Sequence, residues 1–193
     1  MSGIPEQDEK ILKLELRLAQ LERLEACHGS FLSFVKTMWP EFITGKHHEI
    51  ISEKLERVAS GELKRLIVNM PPRHTKSEFA SFLFPAWMIG KNPKMKIIQA
   101  THTTELAVGF GRKVKNLLDR DDYREVFPET RLAVDSKASG RWDTERGGMY
   151  YAVGVGSNLA GRGGDLIVID DPHSEQTAMS TNGFDDAWDW YTG

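Results

Sequence analysis

"LIVNMPPRHTKSEFASFLFPAW", residues 66 to 87, is the stretch whose reading decides the fold. A short apolar run, Leu66-Ile67-Val68, stops at a polar turn that ends in Lys76-Ser77, and an apolar stretch follows. Strand, turn, Lys-Ser and helix is the order of a phosphate-binding P-loop, G-x-x-x-x-G-K-[ST]. Aligned on the lysine, however, Met70 and Thr75 stand where the two glycines belong. Those glycines let the backbone wrap closely and aim N–H groups at phosphate oxygens, while the helix N-terminus adds partial positive charge. The task depends on backbone shape, and Pro71-Pro72 can enforce a tight exit from a strand by fixing φ. On this reading Thr75 still donates its N–H, Lys76 reaches the β- and γ-phosphates, and the Ser77 hydroxyl reaches Mg²⁺. On the plainer reading, Lys-Ser caps a surface helix.

Outward from the turn the pattern alternates. A strand over 64–70, a helix over 76–90, a strand over 95–101 ("MKIIQAT") and a helix over 103–119 follow one another. Alternation of this length predicts parallel pairing and an α/β sheet. Residues 131–156 read as further β-structure, "GSNLAGRGG" as a loop, and "DLIVID" (165–170) as a continuous apolar strand of the kind buried on both faces. Upstream, residues 8–27 predict a helix with Ile11, Leu14, Leu18 and Leu21 at 3-4 spacing. It covers fewer than three heptads, which favours docking onto the body over an independent coiled coil. "FLSFVKTMWPEF" (31–42) reads as a buried helix stopped by Pro40. Residues 47–60 read as a third helix with Ile50, Ile51, Leu55 and Val58 on one side.

Composition narrows the classes. At 193 residues, 40% hydrophobic and 27% charged, the chain suits one well-buried core of ordinary globular type. No apolar run approaches the roughly 18 to 20 residues of a membrane span, and the N-terminus is too polar for a signal peptide. The single cysteine, Cys27, excludes an internal disulfide and suits a reducing cytoplasm. A net charge of −3 excludes a globally basic nucleic-acid binder. The charge is uneven, because residues 61–120 hold 11 Lys/Arg against 4 Asp/Glu, a surplus of +7 that leaves −10 for the remainder. A local basic field around the turn fits phosphate binding, and equally fits a solvated face.

A second signal decides between the two readings of the turn. An ATPase with a P-loop needs a carboxylate on a neighbouring strand to hold Mg²⁺ through water, and another to orient the attacking water. "LIVIDDPH" supplies an apolar strand that ends in Asp170-Asp171. Other constellations fail. "GVGSNLAG" is no nucleophile elbow, since Val155 stands two before Ser157, and Leu159 replaces the last glycine of a G-x-G-x-x-G. His47-His48 lacks metal-ligand spacing, and Trp87, Trp142, Tyr150 and Tyr151 read as core or sheet packing.

The segments "MPPRHTKSEFASFLFPAWMIG", "KIIQATHTTELAVGFGRKVKNLL", "YREVFP", "GRW", "YYAVGVGSNLAGRGGDLIVIDDPHSEQ" and "WYTG" together resemble the large terminase subunit of tailed bacteriophages. The resemblance runs from about residue 31 to the last residue. It implies an α/β P-loop NTPase fold of the ASCE type, a mostly parallel sheet flanked by helices, as domain 31–193 behind an N-terminal helical arm, 1–30. It implies the motor ATPase that drives genome DNA into an empty procapsid, with ATP and Mg²⁺ as its nucleotide and metal. Carried over, Arg73, His74, Thr75, Lys76 and Ser77 cradle the phosphates, and Asp170 holds Mg²⁺ together with Ser77. Asp171 stands where many relatives carry the catalytic glutamate, with Glu175 in reserve. Arg73 and Arg162 are candidates for the arginine that stabilises transition-state charge, ahead of Arg112 and Arg141. The segment around His47 and His48 occupies the place where the family contacts adenine, although no clear glutamine motif is present.

The implied partners are double-stranded phage DNA, the portal protein, the small terminase subunit and further copies in a ring, with no membrane. The implied location is the host cytoplasm, transiently at the portal vertex. Relatives continue into a further sheet strand and a nuclease domain, so the chain reads as an ATPase domain truncated before the end of its fold. Two rivals stand beside this reading. One is a helicase, since Asp170-Asp171-Pro172-His173 superficially resembles a D-E-x-H box. The other is a non-enzymatic interaction module with the N-terminal helix as its docking arm.

Overall fold

Part of the predicted alternation of strand and helix builds the sheet. The computed structural model describes residues 6–136, 138–159 and 161–192. Residues 1–5 of the N-terminal arm, Ala160 of the Gly-rich loop and the terminal Gly193 therefore lie outside the described residues. Strands β1 (Lys96–Thr101), β2 (Arg141–Asp143), β3 (Met149–Gly154) and β4 (Leu166–Asp170) form one mixed sheet in the order β2-β3-β1-β4. β1 runs parallel to both neighbours, with Ile98 opposite Tyr151 on one side and Ile167 on the other. The short β2 pairs antiparallel with β3. Helices α1 (Glu6–Gly29), α2 (Phe31–Met38), α3 (Lys46–Ala59), α4 (Phe84–Lys91), α5 (Thr104–Leu118), α6 (Asp121–Val126), α7 (Glu175–Met179) and α8 (Gly183–Thr192) surround it. The protein is thus α/β, with a mostly parallel four-stranded sheet flanked by helices.

The two faces of the sheet are covered unequally. Ile97, Tyr150 and Ala152 face the main core, where Phe31, Phe79 and Trp87 meet the inner face of α5. α5 forms because Thr103 caps it, accepting from the Leu106 N–H at 3.3 Å, and because Ala107, Gly111, Val114, Leu117 and Leu118 recur on one side. Gly111 is needed for close approach: a Cβ there would stand 2.4 Å from the Ser139 carbonyl oxygen. Among the described residues, those buried on the opposite face are Ile98, Ala100 and Val153, packed by Tyr151, Leu159 and Trp190. That thin cover corrects the expectation of a strand buried on both faces, because Ile167 and Ile169 of β4 stay 55% and 37% exposed.

Three further expectations change. Residues 64–70 pair with no strand and lie outside the sheet. They keep an extended alternation, with Leu66, Val68 and Met70 packed on the main core and Ile67 87% exposed. The apolar period was legible, but a ladder also requires a neighbouring strand edge in register. The predicted helix over 76–90 is helical from Lys76 to Lys91 but contains a π-helical turn, Glu78–Leu83. Pro85 has no N–H and would press its ring on the Ser81 carbonyl, so the ladder slips and the Phe84 N–H bonds to Phe79 five residues back. Finally, α1 docks through Leu24 and Cys27, whereas Ile11, Leu14, Leu18 and Leu21 stay about half exposed or more.

Candidate active site

The carboxyl end of β4 meets the Pro71–Ser77 turn. Arg73 and Thr75 both have φ of +63°, the left-handed region that favours glycine. Thr75 therefore occupies the second glycine position of the P-loop pattern and adopts the conformation a glycine would supply. A chain of hydrogen bonds holds it there. The Gly45 N–H donates to His48 Nδ1 at 2.9 Å, which puts the ring proton on Nε2. Nε2 then donates to Thr75 Oγ1 at 2.7 Å, and the Thr75 hydroxyl donates to the His74 carbonyl at 2.6 Å. His74 Nδ1 donates to the Pro72 carbonyl at 2.9 Å and tightens the same turn.

His48 is buried, with its ring stacked on Phe79 at 5.0 Å and edge-on to Phe42 at 4.6 Å. Burial lowers its pKa, and the neighbouring His47 and His74 push in the same direction, which preserves the neutral form that the hydrogen-bond chain requires. His47 is exposed, its ring 3.8 Å from that of His48 and 5.9 Å from that of His74. The three rings form one wall beside the turn.

Lys76 Nζ lies 2.5 Å from Asp171 Oδ1 and 3.6 Å from Asp170 Oδ1, although 95 residues separate Lys76 from Asp171. Burial by itself would lower the pKa of this ammonium. The bond to Asp171 and the two negative charges outweigh it, and the net shift is upward. Ser77 makes no side-chain capping bond, and Lys76 reaches across to the strand end. Neither residue does what the helix-cap reading asks of it.

Asp170 ends β4, is 8% exposed, and accepts from the fully buried Ser81 hydroxyl at 2.9 Å through Oδ2. Ser81 lies in the π-helical turn, so the slip forced by Pro85 falls at the carboxylate's support. Asp171 has φ of +44°, and its carbonyl accepts from the His102 N–H at 3.2 Å just after β1. That left-handed corner swings its carboxylate away from the direction of Asp170 and toward solvent, where it is 66% exposed. Beyond it opens a depression of about 460 Å³ lined by His102, Asp171, Pro172, His173, Ser174 and Glu175. Glu175 begins α7, whose cap is Ser174, and stands on this rim.

The structure brings together Arg73, His74, Thr75, Lys76, Ser77, Asp170 and Asp171, with Glu175 across the depression. It leaves Arg162 apart. That guanidinium stacks on Tyr151 at 4.1 Å, and Tyr151 pairs with Ile98, three residues before the strand end at Thr101 that is level with Asp170. The basic surplus is divided as well. Arg73 and Lys76 stand at the carboxyl end of the sheet, whereas Lys96 opens β1 at the other end and Lys91 lies over Trp87. Sequence reasoning missed Ser81 and His102 as supports, and it read His48 as part of an adenine-contacting segment and not as the partner of Thr75. The readable sign was a polar residue on the buried side of a helix, as at His48 and Ser81. Neither protein-family models nor curated proteins match this chain.

Proposed function

We propose that the chain is an ATP-hydrolysing P-loop domain of the large-terminase kind, the motor that drives phage DNA into a procapsid. One observation carries the hydrolytic part: a turn lysine and two consecutive strand-end carboxylates, far apart in sequence, meet within 2.5 and 3.6 Å. The left-handed Thr75 supports it, because that conformation is what the P-loop glycine provides. The motor assignment rests on the sequence resemblance. With it come double-stranded DNA, the portal, the small subunit and a ring of copies as proposed partners.

In this reading the backbone of residues 73–77 and the Lys76 ammonium bind the β- and γ-phosphates. Asp170 and Ser77 fit a hard, oxygen-seeking cation, since one Asp170 oxygen is anchored by Ser81 and the Ser77 hydroxyl caps no helix. Mg²⁺ held there would neutralise charge on the phosphate oxygens. Asp171 takes a proton from the water whose oxygen attacks the γ-phosphorus, while the bond to the β–γ bridging oxygen breaks to give ADP and phosphate. Arg73, in the turn itself, is the nearer of the two candidate arginines. The test is Lys76→Ala: ATP hydrolysis should be lost, with the thermal unfolding midpoint little changed. Wild-type turnover in a folded Lys76→Ala protein would end the hydrolytic reading.

A further inference from the structure

Helix α1 presents one side to the body over its second half and an exposed aliphatic line along its length. Gln20, Leu24 and Cys27 turn toward the body: Cys27 is fully buried, Leu24 packs against the main core, and the Gln20 amide reaches Glu125 at 3.5 Å. Ile11, Leu14, Leu18 and Leu21 lie about 130° round the helix from that side, at roughly 100° per residue. They are 49%, 71%, 57% and 47% exposed. Their 3-4-3 spacing is that of the a and d positions of two heptads. A continuous aliphatic line of this kind on a helix marks a surface that another chain covers.

The flanking charges specify which chain, and which way it runs. With Ile11 and Leu18 at a, the e positions are Asp8, Glu15 and Glu22, and the g positions are Lys10, Arg17 and Leu24, the last packed against the body. In a parallel pair each g residue faces the partner's e residue five positions on. That sets Lys10 against Glu15 of the second copy and Arg17 against Glu22 of the second copy, and both pairs attract. In an antiparallel pair g faces g and e faces e, so every pair repels. Of the two a positions, Ile11, with leucines at d, suits two strands, and Leu18 fills the other. The seam ends where α1 joins the body: the next a and d residues are Glu25 and His28, and His28 Nε2 is bonded to the Val126 carbonyl at 2.6 Å.

We infer that residues 10–22 of α1 form a parallel two-stranded seam between two copies of this chain. The inference stands apart from the hydrolytic reading. It is tested by sedimentation of the whole chain over a concentration series. Two heptads make a short seam, so the expected result is a reversible monomer–dimer equilibrium. Leu14→Asp with Leu18→Asp should abolish the dimer while leaving the thermal midpoint unchanged at concentrations where the unaltered chain is also monomeric, because both side chains are exposed in the single chain. Arg17→Glu and Glu22→Arg should each weaken association about tenfold, since two attractive pairs become repulsive. Combining them in one chain should restore the original affinity, and mixing the two single variants should give heterodimers tighter than either homodimer. A chain that stays monomeric throughout, or a dimer indifferent to Leu14 and Leu18, overturns the seam. Failure of the combined reversal to restore affinity overturns its parallel register.

Discussion

His48 holds Thr75 in a conformation that glycine would adopt unaided, and that claim can be tested without nucleotide. His48→Phe keeps a ring against Phe79 and Phe42 but removes the acceptor for Gly45 and the donor to Thr75. Two hydrogen bonds at about 1 kcal/mol net each set the expected loss of stability at about 2 kcal/mol. Thr75→Gly has two opposed effects. It relieves about 1 kcal/mol of left-handed backbone cost and forfeits two hydrogen bonds of about 1 kcal/mol each, from His48 and to the His74 carbonyl, so its own effect should be a loss of about 1 kcal/mol. In the Thr75→Gly background His48→Phe can lose only the Gly45 bond, about 1 kcal/mol. The double-mutant cycle should therefore show a coupling of about 1 kcal/mol, which urea unfolding resolves. ATP affinity should follow: His48→Phe weakens it about fivefold with Thr75 in place and less in the Thr75→Gly background. A His48→Phe cost that is the same in both backgrounds would refute the clamp, and it would do so even if the protein bound no ATP.

The two carboxylates should separate in function. Asp170→Asn should weaken Mg²⁺-dependent ATP binding, whereas Asp171→Asn should retain binding and slow turnover by about 10²-fold or more, as read in single-turnover assays. If Asp171→Asn turns over normally and Glu175→Gln does not, the proton acceptor is Glu175. The pH profile should carry the mark of His48, whose folded-state pKa lies below the ordinary value near 6.5. The folded state favours the neutral ring, so its contribution is complete above pH 6.5 and declines as pH falls toward the folded-state value. His48→Phe should flatten that part of the urea stability profile.

What the sequence made legible was periodic or local. β1 and α5 lie within a residue of their predicted limits, because an apolar run followed by a capped amphipathic pattern leaves little choice. Lys76 and the Asp170-Asp171 pair were readable as types in order, although their meeting is a property of the sheet that sets β4 beside β1. The stretch 64–70 has the composition of a strand, but pairing depends on a free edge elsewhere that no local pattern encodes. The π-helical turn could have been inferred from Phe84-Pro85, since a proline nine residues after Lys76 must disturb the helix behind it. His48 was the hardest to place. Its partner lies 27 residues away, and what it offers is a hydrogen bond to a residue whose unusual φ only the fold reveals.

The contact between Lys76 and Asp171 also bears on how the proposed cycle would be ordered. The lysine that would hold the γ-phosphate is bonded to one oxygen, Oδ1, of the carboxylate that would accept the water's proton, so the ammonium and that oxygen are engaged with each other. An arriving polyphosphate carries several charges to the single charge on Asp171, and Asp171 is 66% exposed, so the existing pair is worth only about 0–1 kcal/mol. The phosphate therefore wins the lysine at little cost, and the act of binding frees an Asp171 oxygen for the water. Asp170 is not released in the same way, because Ser81 holds its other oxygen inside the core. One carboxylate is thus fixed and suited to a cation, while its neighbour is exposed and suited to a proton. The difference follows from the left-handed turn at Asp171, which sets two adjacent aspartates in unlike surroundings.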